Sequence, residues 1–315
     1  MARIVVTGGA GFLGSHLCET LLARGDSVVC VDNLATSDGT NVDGFRDHER
    51  FELLEVDICQ PFVVEGAIDA VANLASPASP PEYQRMPLET LAVGSYGTEN
   101  AIAVAERAGA RFVTASTSEI YGTALEHPQR EEYWGNVDPI GPRSMYDESK
   151  RYSEALTTAY AEARGLDAGI VRIFNTYGPR LRASDGRVIS NLVVQAIKGE
   201  PLTIYGDGSQ TRSFCYVDDL VAGLIRMIDK VGERGPVNLG NPVEVTISEL
   251  ATRILACTGS SSQVVHMAPA AGDPVRRCPD ITRAKERLDW EPTLTLDEGL
   301  ALTAAWYREH LSASR

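Results

Sequence analysis

The chain has 315 residues, 43% of them hydrophobic and 23% charged, with a formal net charge of −14. That length and balance predict a folded protein of one large or two modest domains. The acidity excludes nucleic acid and anionic membranes as partners, because both demand a basic surface.

The predicted elements begin at once. Met1 leads into the strand-like "RIVVTG" (3–8) without a charged leader, an apolar signal core or a cleavage site, so a cytoplasmic protein is expected. A glycine-rich turn then opens an amphipathic helix over 12–24, and "SVVCVD" (27–32) follows as the second strand. "FELLEVD" (51–57), "AVANLA" (70–75), "RFVTASTS" (111–118) and "DAGIVRIFN" (167–175) read as further strands, with helices between them at 87–108 and 144–164. No apolar run reaches the roughly 18 to 20 residues of a membrane-spanning helix. Strands alternating with helices predict an α/β fold: a doubly wound parallel sheet of the Rossmann type, with its ligands at the carboxyl ends of the strands. Beyond residue 176 the elements shorten between Gly, Pro and Arg, as in "YGPRLRASDGR" and "GDGSQTRSF". Two domains are therefore expected, 1–175 and a smaller α/β substrate domain over 176–315, with part of 212–240 returning to the first.

Gly8, Gly11 and Gly14 lie between a strand and a helix, and Asp32 closes the next strand. This is a dinucleotide layout: without β-carbons the turn lets a pyrophosphate approach backbone N–H groups at the positive helix terminus. Asp32 would accept hydrogen bonds from the ribose hydroxyls and repel a 2′-phosphate, so NAD is expected rather than NADP. Phe12, Leu13 and Asn33 complete this turn and the second strand end. Ile58, Leu74 and Ala75 are expected beside the cofactor at the ends of the third and fourth strands. Asp57 reads either as a partner of the adenine amino group or as a plain helix cap.

"YDESK" places Tyr146 and Lys150 four residues apart, on one face of a helix. An ammonium nearby stabilises phenolate, which suits a general base. The alternative is a helix surface pair. Six cysteines (18, 30, 59, 215, 257, 278) and five histidines (16, 48, 127, 266, 310) show no metal-ligand spacing, so reduced thiols and no metal site are expected.

The glycine triplet, a hydroxyl-bearing strand end and YxxxK, in that order, resemble the extended short-chain dehydrogenase/reductase family across essentially the whole chain. "LASPASPPEY", "STSEIYG", "YDESKR", "RIFNTYGPR", "DGRVISN" and "YGDGSQTRSFCYV" are similar to its nucleotide-sugar branch, and within it to the UDP-glucuronate decarboxylase group, also called UDP-xylose synthases. The resemblance implies a catalytic set of Thr117, Tyr146 and Lys150, with Ser118 and Glu119 beside it. In related sugar-nucleotide 4,6-dehydratases an Asp-Glu pair usually stands at this strand end; Ser118 replaces that Asp, and elimination of water loses its acid. The implied chemistry is oxidation at C4 of UDP-glucuronate by NAD, loss of CO₂ from the 4-keto sugar, and return of the hydride to C4. Glu119 would orient the sugar carboxylate or manage a proton near C5; as a purely structural group it would satisfy backbone N–H groups in a loop.

The resemblance also assigns a substrate end. Asn175, Arg187 with Gly186 and Val188, Arg212 with Gln210, and Arg277 match positions around the nucleotide, diphosphate and sugar, and Tyr205 is expected by the uracil. Arg180, Arg182 and Arg276 are further cations there. Asn73 and Gly94 depart from the pattern, where relatives commonly carry His and Asn. Alternative readings are a UDP-glucuronate 4-epimerase, a 4,6-dehydratase, and an NAD-binding regulatory protein without turnover. The family implies a homodimer built on the helices near 88–108 and 144–164.

Overall fold

The computed structural model describes residues 1–268 and 276–313. The first half runs β1 (Arg3–Thr7), α1 (Phe12–Arg24), β2 (Ser27–Asp32), β3 (Phe51–Glu55), β4 (Ala70–Asn73), α2 (Pro80–Arg85), α3 (Pro87–Ala92), α4 (Thr98–Ala108), β5 (Arg111–Thr117), α5 (Ser144–Arg164) and β6 (Ala168–Ile173). The second half runs β7 (Thr176–Tyr177), α6 (Val188–Lys198), β8 (Leu202–Tyr205), β9 (Thr211–Ser213), β10 (Cys215–Tyr216), α7 (Val217–Asp229), β11 (Val237–Leu239), β12 (Glu244–Thr246), α8 (Ile247–Thr258), β13 (Val264–Met267), β14 (Arg276–Arg277), α9 (Thr282–Leu288) and α10 (Leu296–Ala313).

Seven strands pair in the order β11-β6-β5-β4-β1-β2-β3, every neighbour parallel. This is the expected doubly wound sheet. Its strand order reverses between β1 and β4, which opens a crevice at their carboxyl ends. The period-2 alternation of side chains builds a core on each face. Ile4 and Val6 of β1 pack in one cluster with Leu17 and Leu21 of α1, and Val5 packs in the other with Ile102 and Ala105 of α4. All seven residues of β5 are buried, which explains its apolar and hydroxyl-bearing sequence after Arg111, whose charge is paired with Asp167.

Two expected helices, 12–24 and 144–164, match α1 and α5. Both stop at glycines in the left-handed region, Gly25 (φ 101°) and Gly165 (φ 73°), where a side chain would be strained. The single helix expected over 87–108 is corrected to α3, a π-helical turn over Val93–Gly97, and α4. A β-carbon on Gly94 would lie 2.5 Å from that of Ser149, so the widened turn falls where its backbone rests directly on α5. The strands are shorter at their carboxyl ends than their apolar runs; β3 stops at Glu55 and β4 at Asn73, and the residues beyond them turn into the crevice.

The chain returns to the main sheet late: α7 packs on α1, and β11 pairs with β6 as the edge strand. The other late elements form small sheets, β12-β9-β14 and β13-β8, beside the packed helices α6, α8 and α10. Among the described residues no helix is long and apolar enough to cross a membrane.

Candidate active site

A cleft of about 1410 Å³ runs across the carboxyl ends of the sheet and under the late elements. The site residues anticipated from sequence line this one cleft, from Gly8, Gly11, Phe12, Leu13 and Gly14 at one end to Tyr205, Gln210, Arg212 and Arg277 at the other, with Arg276 the exception.

At the glycine end, β1 passes into α1 through a turn that has no room for side chains. A β-carbon on Gly14 would collide with the Gly8 carbonyl oxygen, and one on Gly8 (φ +69°) would lie 2.8 Å from the Ala75 Cα. Gly11 caps α1 with no side-chain hydrogen bond, so the first-turn N–H groups face the cleft. Asp32 braces the turn: Oδ2 accepts from the Ala10 N–H at 3.0 Å and Oδ1 from the Leu34 N–H at 2.9 Å. Burial raises its carboxyl, against those two backbone hydrogen bonds. Asp57 accepts from the Cys59 N–H at 2.9 Å in a local turn and lines the cleft. Asn73 accepts from the Thr7 hydroxyl at 2.7 Å and donates to Thr98 at 3.4 Å, so this departure from the family pattern is a satisfied buried amide.

The chemical centre forms where β5 ends against the start of α5. Thr117 is the last residue of β5, and its hydroxyl bonds the Tyr146 phenol. Burial raises the Tyr146 phenol, opposed by the Thr117 hydrogen bond and then by the Arg187 charge. One helical turn on, Lys150 donates from Nζ to the Ala115 carbonyl at 2.9 Å, and burial lowers its ammonium to about 8. The helix surface alternative for this pair is thereby excluded, since both residues are 7% exposed. Tyr83 of α2 stacks on Tyr146, ring centroids 5.1 Å apart and planes 8° off parallel.

Glu119 follows in a 3-10 turn over Ser118–Tyr121, and it does not serve the loop backbone: it lies between two arginines. Oε1 pairs with Arg277, and Oε2 accepts from Arg143 Nη2 at 2.5 Å. Burial alone would raise the Glu119 carboxyl, but Arg277 and then Arg143 outweigh it and hold it below the usual carboxylate range. Glu119 is therefore an ionised group, not a proton donor, in this arrangement. Arg277 also donates to the Ser118 hydroxyl at 3.4 Å and to the Gly122 carbonyl at 3.0 Å. Strand register puts Arg277 of β14 directly beside Arg212 of β9, so both guanidiniums face this corner.

At the substrate end, Arg187 is the N-cap of α6, whose first N–H groups have no side-chain cap; its guanidinium lies 3.3 Å from Asp185. A positive helix terminus beside a guanidinium is an anion-binding arrangement. Gly186 and Val188 flank it, and Asn175 lies just past β6. Tyr205, half-exposed at the end of β8, is held by a Gln210 amide that donates to its carbonyl at 2.7 Å. Arg180 and Arg182 line the same cleft and pair with Glu19 and Glu82. Arg276 points instead to Glu244, at 3.0 Å.

Sequence reasoning missed Arg143, Asp147 and Tyr83. The one available signal was their position, Arg143 three residues before the Tyr-Lys motif, Asp147 inside it and Tyr83 within "SPPEY". It also missed a convergence of His127, Glu244 and Cys278, whose ligand atoms lie within 4.8 Å of one another. Glu244 there is already engaged by Arg276 and by the Thr211 hydroxyl at 2.6 Å, and burial pushes the Cys278 thiol up to about 12, so no metal is assigned.

Comparison with known proteins agrees with this geometry. The profile of the NAD dependent epimerase/dehydratase family matches residues 4–240. UDP-glucuronic acid decarboxylase 1 of Xenopus tropicalis is 48% identical over 309 residues, 98% of this chain and 73% of its own length. UDP-glucuronic acid decarboxylase 2 of Arabidopsis thaliana is 49% identical over 310 residues, 98% of this chain and 69% of its own. Among solved structures, the UDP-glucuronic acid 4-epimerase of Bacillus cereus in complex with UDP-glucuronic acid and NAD superposes with a TM-score of 0.86 at 27% identity, covering 98% of this chain and 99% of that one.

Proposed function

Because the chain belongs to the NAD dependent epimerase/dehydratase family, we infer that it is a carboxy-lyase that converts UDP-glucuronate to UDP-xylose and CO₂ without net redox change. The observation that carries this reading is identity of nearly one half to UDP-glucuronic acid decarboxylases over 98% of the chain.

The side-chain-free cradle at Gly8 and Gly14, with Asp32 behind it, fits NAD. Bound at this turn, NAD would supply a hydride acceptor, and in its reduced form a hydride donor, for C4 of the sugar. Tyr146 takes the proton of the C4 hydroxyl, with Thr117 hydrogen-bonded to its oxygen and Lys150 one turn away to favour phenolate. The C4 ketone lies β to the C6 carboxylate, so the electron pair left by CO₂ passes into an enolate, which a proton taken from water at C5 returns to the ketone. Arg277 and Arg143 bind the sugar carboxylate in competition with Glu119, whose own charge disfavours the carboxylate and so promotes its loss. Ser118 cannot protonate a departing C6 hydroxyl, which sets dehydration aside. Arg187 and the α6 N-terminus take the diphosphate, and Tyr205 stacks on the base.

Likeness to the Bacillus cereus enzyme favours 4-epimerisation as a second reading. Incubation with UDP-glucuronate and NAD, with products identified by mass spectrometry and NMR, separates the two. Release of CO₂ with a pentose nucleotide is expected; a C4-inverted uronic acid would support the epimerase, and no product would leave an NAD-binding regulatory protein.

We further propose that the protein acts in the cytoplasm as a homodimer. Leu88 (75% exposed) and Leu91 (41%) on α3, with Tyr152 (51%) on the adjacent α5, offer an apolar face for a second copy. The proposed domain division remains 1–175 and 176–315, with α7 and β11 counted with the first domain.

A further inference from the structure

Asp147 lies in the first turn of α5, directly after Tyr146, and is 7% exposed. Its backbone N–H donates to the Arg143 carbonyl at 3.1 Å, but its Oδ1 is buried without a hydrogen-bond partner. A buried carboxylate in that state is costly unless it takes a proton. Burial first, and then the charge of Glu119, push the Asp147 carboxyl up to about 7, against the opposing charges of Arg143 and Arg277.

The groups that face Asp147 come from several elements. Glu119 approaches from the turn after β5, Arg277 from β14 and Tyr83 from α2, while Arg143, Tyr146 and Glu148 belong to α5 and its lead-in. Of the other charges on α5, Lys150 bonds the Ala115 carbonyl, Arg151 pairs with Glu148, Glu154 with Arg172 and Arg164 with Glu106, while Glu162 is exposed to solvent. Glu89 of the adjacent α3 is exposed to solvent.

Arg143 and Arg277 are both bound to Glu119. An acidic sugar adds a carboxylate to a corner that already holds those of Glu119 and Asp147. We propose that Asp147 is a positioning residue that takes up one proton as the sugar carboxylate binds, leaving Arg143 and Arg277 to be shared between that carboxylate and Glu119. The proton comes from solvent on binding and returns to it once CO₂ has left and the enolate has taken a proton at C5, the step that removes the added charge. This inference rests on the decarboxylase reading for the identity of the acidic sugar.

The test uses the NAD-loaded Tyr146→Phe protein, in which turnover stops and binding can be measured by calorimetry. The dissociation constant for UDP-glucuronate is expected to rise toward tenfold per pH unit above about 7. Binding heats in buffers of different ionisation enthalpy should report uptake of up to about one proton near pH 8. UDP-xylose, which lacks the carboxylate, should show neither effect. Adding Asp147→Asn should flatten the UDP-glucuronate profile and abolish the uptake while affinity near pH 6 is kept. An unchanged slope and uptake in the double variant would overturn the proposal, as would absence of uptake in Tyr146→Phe alone, a result that does not depend on Asp147→Asn folding. CO₂ release by the unaltered protein is scored separately. Decarboxylation without proton linkage sinks this inference alone; proton-linked binding without CO₂ release sinks the decarboxylase reading alone.

Discussion

The Arg277 guanidinium, with its side chain 3% exposed, is ion-paired with Glu119 at the end of β5, so two residues 158 positions apart share one buried charge pair. Removing one partner of such a pair leaves the other uncompensated, which typically costs about 3 to 5 kcal/mol. Glu119→Gln keeps the shape and removes the charge. CO₂ release from UDP-glucuronate is expected to fall by about 10²-fold or more, while the NAD dissociation constant, read by fluorescence titration, stays within about twofold because the glycine turn lies at the other end of the cleft. Decarboxylation at an unchanged rate would remove Glu119 from the mechanism.

Gly14→Ala is expected to abolish NAD binding, because its β-carbon collides with the Gly8 carbonyl oxygen inside the turn. Calorimetric titration with NAD reads this, and circular dichroism shows whether the fold survives. An affinity within about threefold of the original, roughly 0.65 kcal/mol, would mean that the turn is not the cofactor cradle.

Asp147 makes stability depend on pH. Its carboxyl is raised to about 7 in the folded protein, against about 3.9 in an unfolded chain. The group's contribution is thus fully present below about pH 4 and is lost as pH rises through about 7. Relative to Asp147→Asn, the unaltered protein should lose roughly 2 to 4 kcal/mol across that window. Urea midpoints at about pH 5 and 8 measure it, and parallel changes in both proteins would contradict the assignment.

Behind the catalytic turn, Arg172 of β6 donates from Nε and Nη2 to the two oxygens of Glu154 on α5, at 2.9 and 2.8 Å, and from Nη1 to the Tyr121 hydroxyl at 3.0 Å. Both charged side chains are largely buried, 10% and 14% exposed. Glu154→Gln should therefore destabilise the fold by about 3 kcal/mol, seen as a lower urea midpoint with an unchanged slope. A loss below about 1 kcal/mol would place the pair among exposed ones.

Leu88→Glu with Leu91→Glu should convert the proposed dimer to monomer, since the charges fall on the apolar face of α3. Light scattering after gel filtration reads the mass. An unchanged dimer would place the interface elsewhere.

The sequence determined the doubly wound sheet, α1, α5 and the glycine turn on its own, because each is encoded within a few residues. Alternating apolar residues set two-faced burial, glycines at 25 and 165 end the helices, and a turn closed to β-carbons must be built from glycine. The cleft residues named from sequence were likewise legible through motifs, though motif membership says nothing of what each side chain touches. Tertiary structure alone decided that Glu119 is held by Arg143 and Arg277, that Tyr83 covers Tyr146, that Asp147 lacks a donor on Oδ1, and that Gly94 rests on Ser149. Those relationships join β5, α2, α5 and β14 across long stretches of chain. Whether a carboxyl is ionised depends on the burial and charges that such distant segments bring to it, and no local pattern carries that information.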